Sequence, residues 1–111
     1  VKVYRQGDVW IYEISEEQFK KIAGRVLSRT PQGDKGLILA EGEVTGHHHR
    51  IPEGGVLYGS VVGSSRYLQV LTKPVQLVHE EHSTIELPPG HYEVRIQREY
   101  EPQKGSRRVT D

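Results

Sequence analysis

Cysteine is absent from all 111 residues, which excludes a disulfide framework and any thiolate metal site. A transition-metal site in this chain must therefore use nitrogen and oxygen ligands. Methionine and asparagine are absent too, beside many Glu, Lys and Arg, a bias expected where thermolabile side chains are avoided. No apolar run approaches the roughly 18 to 20 residues of a membrane-spanning helix, and no signal peptide is visible. Fifteen Lys and Arg balance fifteen Asp and Glu, for a formal net charge of zero. The chain thus lacks the basic excess of a general nucleic-acid or anionic-membrane binder. Position 1 is Val rather than Met, as removal of an initiator would leave it, and the expected location is cytoplasmic.

What is present reads as short strands broken by turns. Residues 1–14 suggest a hairpin around Gln6-Gly7-Asp8, with Val9, Trp10, Ile11, Tyr12 and Ile14 in its second strand. Ser15 and Gln18 have capping-box spacing, Phe19, Ile22 and Ala23 form a small apolar face, and Gly24 is a stop signal. One helix of about two turns is expected there. A turn cluster over 30–36 precedes strands at 37–44, 56–62, 66–73, 75–81, 85–87 and 92–100, with Gly63-Ser64-Ser65 as a hairpin loop. In the last strand Tyr92, Val94 and Ile96 share one face, while Glu93, Arg95, Gln97 and Glu99 share the other. This spacing predicts a mainly β fold, a small antiparallel β-sandwich or barrel with one short N-terminal helix. Residues 1–101 read as a single β-rich domain and 102–111 as a flexible polar tail, its Lys104, Arg107 and Arg108 too few for a nucleic-acid arm. Trp10 and Phe19 are expected in the core.

All six histidines, His47, His48, His49, His79, His82 and His91, fall between positions 47 and 91. Imidazole is both a common metal ligand and a common proton shuttle, so this concentration points to a chemical site. The triplet is internal, which separates it from a purification tag. On an extended chain His47 and His49 project together and His48 points away, so the pair can bind one ion at about 2.0 to 2.1 Å each. Gly46 leaves room for a close approach, and Pro52-Glu53-Gly54-Gly55 turns the chain. His79 and His82 are three apart and face opposite sides of a straight strand; a turn or bulge is needed for both to reach one centre. Glu80 and Glu81 are candidate partners for histidine N–H groups. His91 follows a Pro-Pro-Gly turn that can aim it back toward a barrel mouth.

This pattern resembles the cupin family. Gly42, His47, His49, Glu53 and Gly59 follow the order of that family's first motif, with the spacings before His47 and after Glu53 one residue short; Pro88, Gly90 and His91 follow part of the second. The resemblance implies a small β-barrel holding a divalent metal through two histidines, a carboxylate and a third histidine.

The leading expectation is a cupin-like divalent-metal-binding protein that uses the histidine cluster, a site that leaves metal-dependent catalysis on a small-molecule substrate open. His47 and His49 form the core of its site, completed by His82 or His91 and by Glu53 or His79. The ion would be Zn, Fe, Mn or Ni. Replacing both His47 and His49 with Ala should then abolish metal binding and leave the fold, with His48 mattering less. An alternative is metal-independent cleavage of a phosphodiester such as RNA, with two histidines as base and acid and Arg50, Arg66, Lys73 or Arg95 holding charge. A third is a non-catalytic homo-oligomeric β-module whose histidines form a pH-dependent interface, since a small sheet leaves strand edges for another copy to cover.

Overall fold

The computed structural model describes residues 2–23, 27–41, 46–60, 65–96, 100–101 and 105–106. Strands β1 (Val3–Gln6) and β2 (Val9–Ile14) form the expected hairpin. Gln6 pairs with Val9, so the turn is the two residues Gly7-Asp8, and Gly7 at φ 60° supplies the left-handed backbone such a turn needs.

Helix α1 (Glu16–Ala23) begins where the capping box predicts. The Gln18 N–H donates to Ser15 Oγ at 3.0 Å, and the Ser15 N–H donates to Gln18 Oε1 at 2.9 Å. Phe19 is its buried residue and packs on Tyr58 and His91, with ring centroids 5.7 and 4.5 Å away. Ser15→Ala is expected to lower stability by about 1 kcal/mol, read as an earlier urea midpoint with the spectrum of the folded protein unchanged.

The remaining strands are β3 (Leu27–Arg29), β4 (Leu37–Glu41), β5 (His48–Ile51), β6 (Val56–Ser60), β7 (Arg66–Val70), β8 (Val75–Leu77), β9 (Ile85–Leu87), β10 (Gly90–Ile96), β11 (Tyr100–Glu101) and β12 (Gly105–Ser106). Six form one antiparallel sheet in the order β1-β2-β10-β7-β6-β3. β4 pairs with β5 and β8 with β9, and a bridge between Arg50 and Val78 joins these two pairs through backbone hydrogen bonds of 3.0 and 2.8 Å. The second layer is thus β4-β5-β8-β9.

Between the layers lies one apolar cluster. The six-stranded sheet gives Val9, Ile11, Leu57, Leu68, Val70, Tyr92 and Val94; the second layer gives Leu37, Leu39, Ile51, Val75, Leu77 and Leu87. Alternation produces this division: along β10 Tyr92 and Val94 are buried, whereas His91 and Glu93 are half-buried on the other face. The Tyr92 hydroxyl donates to Pro88 O, and burial pushes its phenol up to about 12. The architecture is mainly β, antiparallel and sandwich-like, with one short helix near the N-terminus among the described residues. No helix of the described residues is long and apolar enough to cross a membrane.

Several elements differ from the sequence reading: β7 ends at Val70 rather than residue 73, and β10 begins at Gly90 rather than Tyr92. β3 carries no alternation longer than three residues and was not anticipated. β8 stops at Leu77 rather than Glu81, because the chain bends through residues 80–82. Within the segment read as a tail, β12 pairs with β11. Gly24, Gly42, Gly63, Ser64, Gln97, Glu99, Lys104, Arg107 and Arg108 lie outside the described residues.

Candidate metal centre

Strand β5 places the first histidines. His49 is fully buried, with half-buried neighbours His48 and Arg50, and His47 precedes the strand after Gly46 at φ 87°. Gly46 serves backbone conformation there: among the described residues no protein atom lies within 4 Å of where a Cβ would stand, so no neighbouring backbone uses the room it leaves.

The second pair arrives by the bend after β8. Val78 bridges Arg50 on β5; the chain then turns, and the His79 and His82 rings come to 4.8 Å of each other. A straight strand would have kept them apart, so the bend resolves the three-residue spacing. Two hydrogen bonds hold it: the His48 N–H donates to Glu80 Oε1 at 2.9 Å, and the Glu81 N–H donates to His79 Nδ1 at 3.0 Å. Four rings now converge. The His79 centroid is 5.6 Å from that of His47 and 4.2 Å from that of His49, and the His49 and His82 centroids are 5.9 Å apart.

Gln6 and Asp8, both 3% exposed, form the floor. Gln6 Nε2 donates to Leu77 O and Ser83 O, each at 3.0 Å, which fixes the amide with Oε1 toward His49 Nδ1 at 2.9 Å. An amide oxygen only accepts, so His49 carries a hydrogen on Nδ1. Its Nε2 faces Asp8 Oδ1 at 3.6 Å. Neither Gln6 nor Asp8 was singled out in the sequence, because a polar residue on either side of Gly7 is ordinary hairpin chemistry. Their burial is visible only once the second layer closes over the turn.

The rim is wetter. His47 Nδ1 approaches Glu81 Oε2 at 2.9 Å, an off-axis contact, with the side chains 24% and 48% exposed. Ligand atoms of His47, His79 and Glu80 all lie within 4.8 Å of one another. Among the described side chains the Nε2 of His82 is buried without a hydrogen-bond partner.

Glu80 is held below the usual carboxylate range, chiefly by the His48 N–H and next by its own backbone N–H. A depressed carboxylate stabilises the fold above its unfolded pKa, and that contribution disappears as pH falls through the lower, folded value. Glu80→Gln is therefore expected to flatten the acid side of the stability profile between about pH 6 and pH 3, measured by urea melts. A mutant profile parallel to that of the wild type would contradict this role.

The other sequence candidates lie elsewhere. His91 sits on the outward face of β10, stacked on Phe19 with Nε2 3.3 Å from Gln69 Nε2, and does not join the cluster. Glu53 is exposed in the bend after β5. Arg50 Nη1 donates to Lys35 O at 3.1 Å, and Arg95 is clamped by Glu93 through bonds of 3.1 and 3.2 Å, which raises its pKa. Of the set that the cupin resemblance implies, the cluster therefore contains His47 and His49 but not Glu53 or His91.

Residues 5–97 match the family described as a domain of unknown function, DUF8820, and the chain belongs to that family. No curated protein and no solved structure matches significantly.

Proposed function

We propose that this DUF8820 member binds one divalent transition-metal ion in the cluster of His47, His49, His79 and His82, with a carboxylate completing the set. The observation that supports this most is the convergence of four imidazoles from two segments about one volume, where ligand atoms of His47, His79 and Glu80 already lie within 4.8 Å of one another. Nitrogen and oxygen donors suit Zn, Fe, Mn or Ni. The floor is dry at His49 and Asp8, while Glu80 and Glu81 on the rim are exposed. A small molecule can therefore approach from the rim side. An ion bound there supplies Lewis acidity toward such a molecule or toward water.

His79 enters the set only by rearrangement. Its Nδ1 accepts the Glu81 N–H, which leaves the hydrogen of the neutral ring on Nε2. Coordination through either nitrogen gives up that bond, so the Glu81 amide resonance is expected to shift strongly on loading.

The phosphodiester alternative draws less support. Arg50 and Arg95 are engaged with Lys35 and Glu93, and Arg66, its pKa lowered by burial, reaches Ile38 O at 3.4 Å. These guanidiniums do not surround the histidines.

Cobalt(II) titration tests the metal reading through its visible d–d bands. Saturation at one equivalent is expected for the wild type, with loss of the bands in His47→Ala. Bands of unchanged intensity and affinity in His47→Ala would refute the site.

A further inference from the structure

We propose that the outward face of the six-stranded sheet, around Trp10, binds single-stranded nucleic acid, with bases stacked on its flat side chains and phosphates held by Arg5 and Arg95. The sequence reading put Trp10 in the core. Instead Val9 and Ile11 on either side of it are buried, and Trp10 and Tyr12 turn outward, half-buried. On the neighbouring strands the same alternation turns out Arg5 of β1, Glu93 and Arg95 of β10, and Tyr67 of β7. Helix α1 covers the His91 and Tyr58 end of this face through Phe19; at the other end Arg5 is exposed and the Arg95 side chain is 50% exposed.

Shape and charge both argue for this occupant. The Trp10 and Tyr12 rings lie within 14° of parallel, and a guanidinium rests on each: Arg5 at 4.8 Å from the centre of Trp10, Arg95 at 5.1 Å from that of Tyr12. Bases stack on aromatic rings and on guanidinium planes alike, so this ladder offers flat surfaces of their size and no sequence preference. Tyr67 follows two strands across from Tyr12, through Glu93, about 10 Å away at the usual strand spacing. The solvent face of an antiparallel sheet ordinarily carries polar side chains, and an indole beside phenols is not that pattern. As for charge, Arg5 spends Nε on Gly7 O at 2.8 Å, and Arg95 spends Nε and Nη2 on Glu93. Each keeps terminal N–H groups for a phosphate oxygen. The Glu93 carboxylate is turned to Arg95 and 17% exposed, so its repulsion of a phosphate is offset.

The site is short. Two phosphate contacts agree with a chain of zero net charge and set a shallow salt dependence, with log affinity falling against log salt at a slope of about −1.4 for a single strand. It is also separate from the histidine cluster. Gln6 reaches His49 from the inner face of β1, whereas Arg5 beside it points outward, so binding on the outer face is independent of the metal reading.

Trp10 is the one tryptophan of the chain, so its fluorescence reports on this face directly. Titration of the wild type with a short oligothymidylate is expected to quench it to saturation, with a salt slope of about −1.4. Arg5→Gln should weaken binding by about tenfold and reduce the slope to about −0.7, whereas His47→Ala should change neither. No quenching up to millimolar oligonucleotide, or quenching indifferent to both salt and Arg5→Gln, overturns the proposal. An equal response to polyglutamate overturns it as well, because the face would then be a surface for acidic peptides. Should Arg5→Gln fail to fold, the wild-type salt slope and the polyglutamate comparison decide.

Discussion

His49→Ala is expected to remove stoichiometric metal and also to destabilise the metal-free protein by about 3 kcal/mol, a large share of a small domain's stability. The ring is fully buried. Its removal opens a cavity in the floor and leaves Gln6 Oε1 without the His49 donor, and a stranded buried acceptor is costly. The sequence alone suggested that replacing His47 and His49 together would spare the fold; the burial of His49 in the floor revises that. His48→Ala is the control. The His48 side chain lies 3.7 Å from Glu41 and its Nδ1 is buried without a hydrogen-bond partner, while the bond to Glu80 comes from its backbone. Truncation there is expected to change stability by less than about 1 kcal/mol. Urea melts of both variants in chelator make the comparison, and equal losses would contradict the floor assignment.

Gly36→Ala is expected to be as damaging, by about 3 kcal/mol or more, through a different route. Gly36 has φ 87°, and an added Cβ would stand 2.0 Å from Ile51 O and 2.7 Å from Pro52 Cα. These are backbone atoms, so no rotamer change relieves the clash. The strand that must move is β5, paired to β4 from Leu37 opposite Ile51, and β5 carries His49. Metal affinity should therefore fall together with stability. Gly46→Ala supplies the contrast: the same φ of 87° with nothing within 4 Å among the described residues, for which only the left-handed strain of about 1 to 2 kcal/mol applies.

How far the sequence could be read depended on the range of each signal. Local chemistry was legible: the Gly7-Asp8 turn, the Ser15–Gln18 capping box and the alternation through Tyr92 and Val94 are written in adjacent residues and appear as read. That His47 and His49 come near one centre was legible for the same reason, each ring packing on that of His79. The bend that unites His79 with His82 was not, because HEEH carries no Gly or Pro, and it is held by a hydrogen bond from His48, 32 residues earlier in sequence. His91 misled because a Pro-Pro-Gly turn fixes where a strand starts but not which face its first side chain takes. Pairing with β2 and β7 turned Tyr92 inward and His91 outward. Gln6 and Asp8 were hidden by distance: the carbonyls that orient Gln6 lie 71 and 77 residues away.

The most direct test of the central claim is elemental analysis of untagged protein, purified without an immobilised-metal column, exposed to a mixture of Zn, Fe, Mn and Ni salts and then dialysed. About one transition-metal ion per chain is expected, with none retained by His49→Ala. A wild-type protein that emerges free of metal would contradict the account.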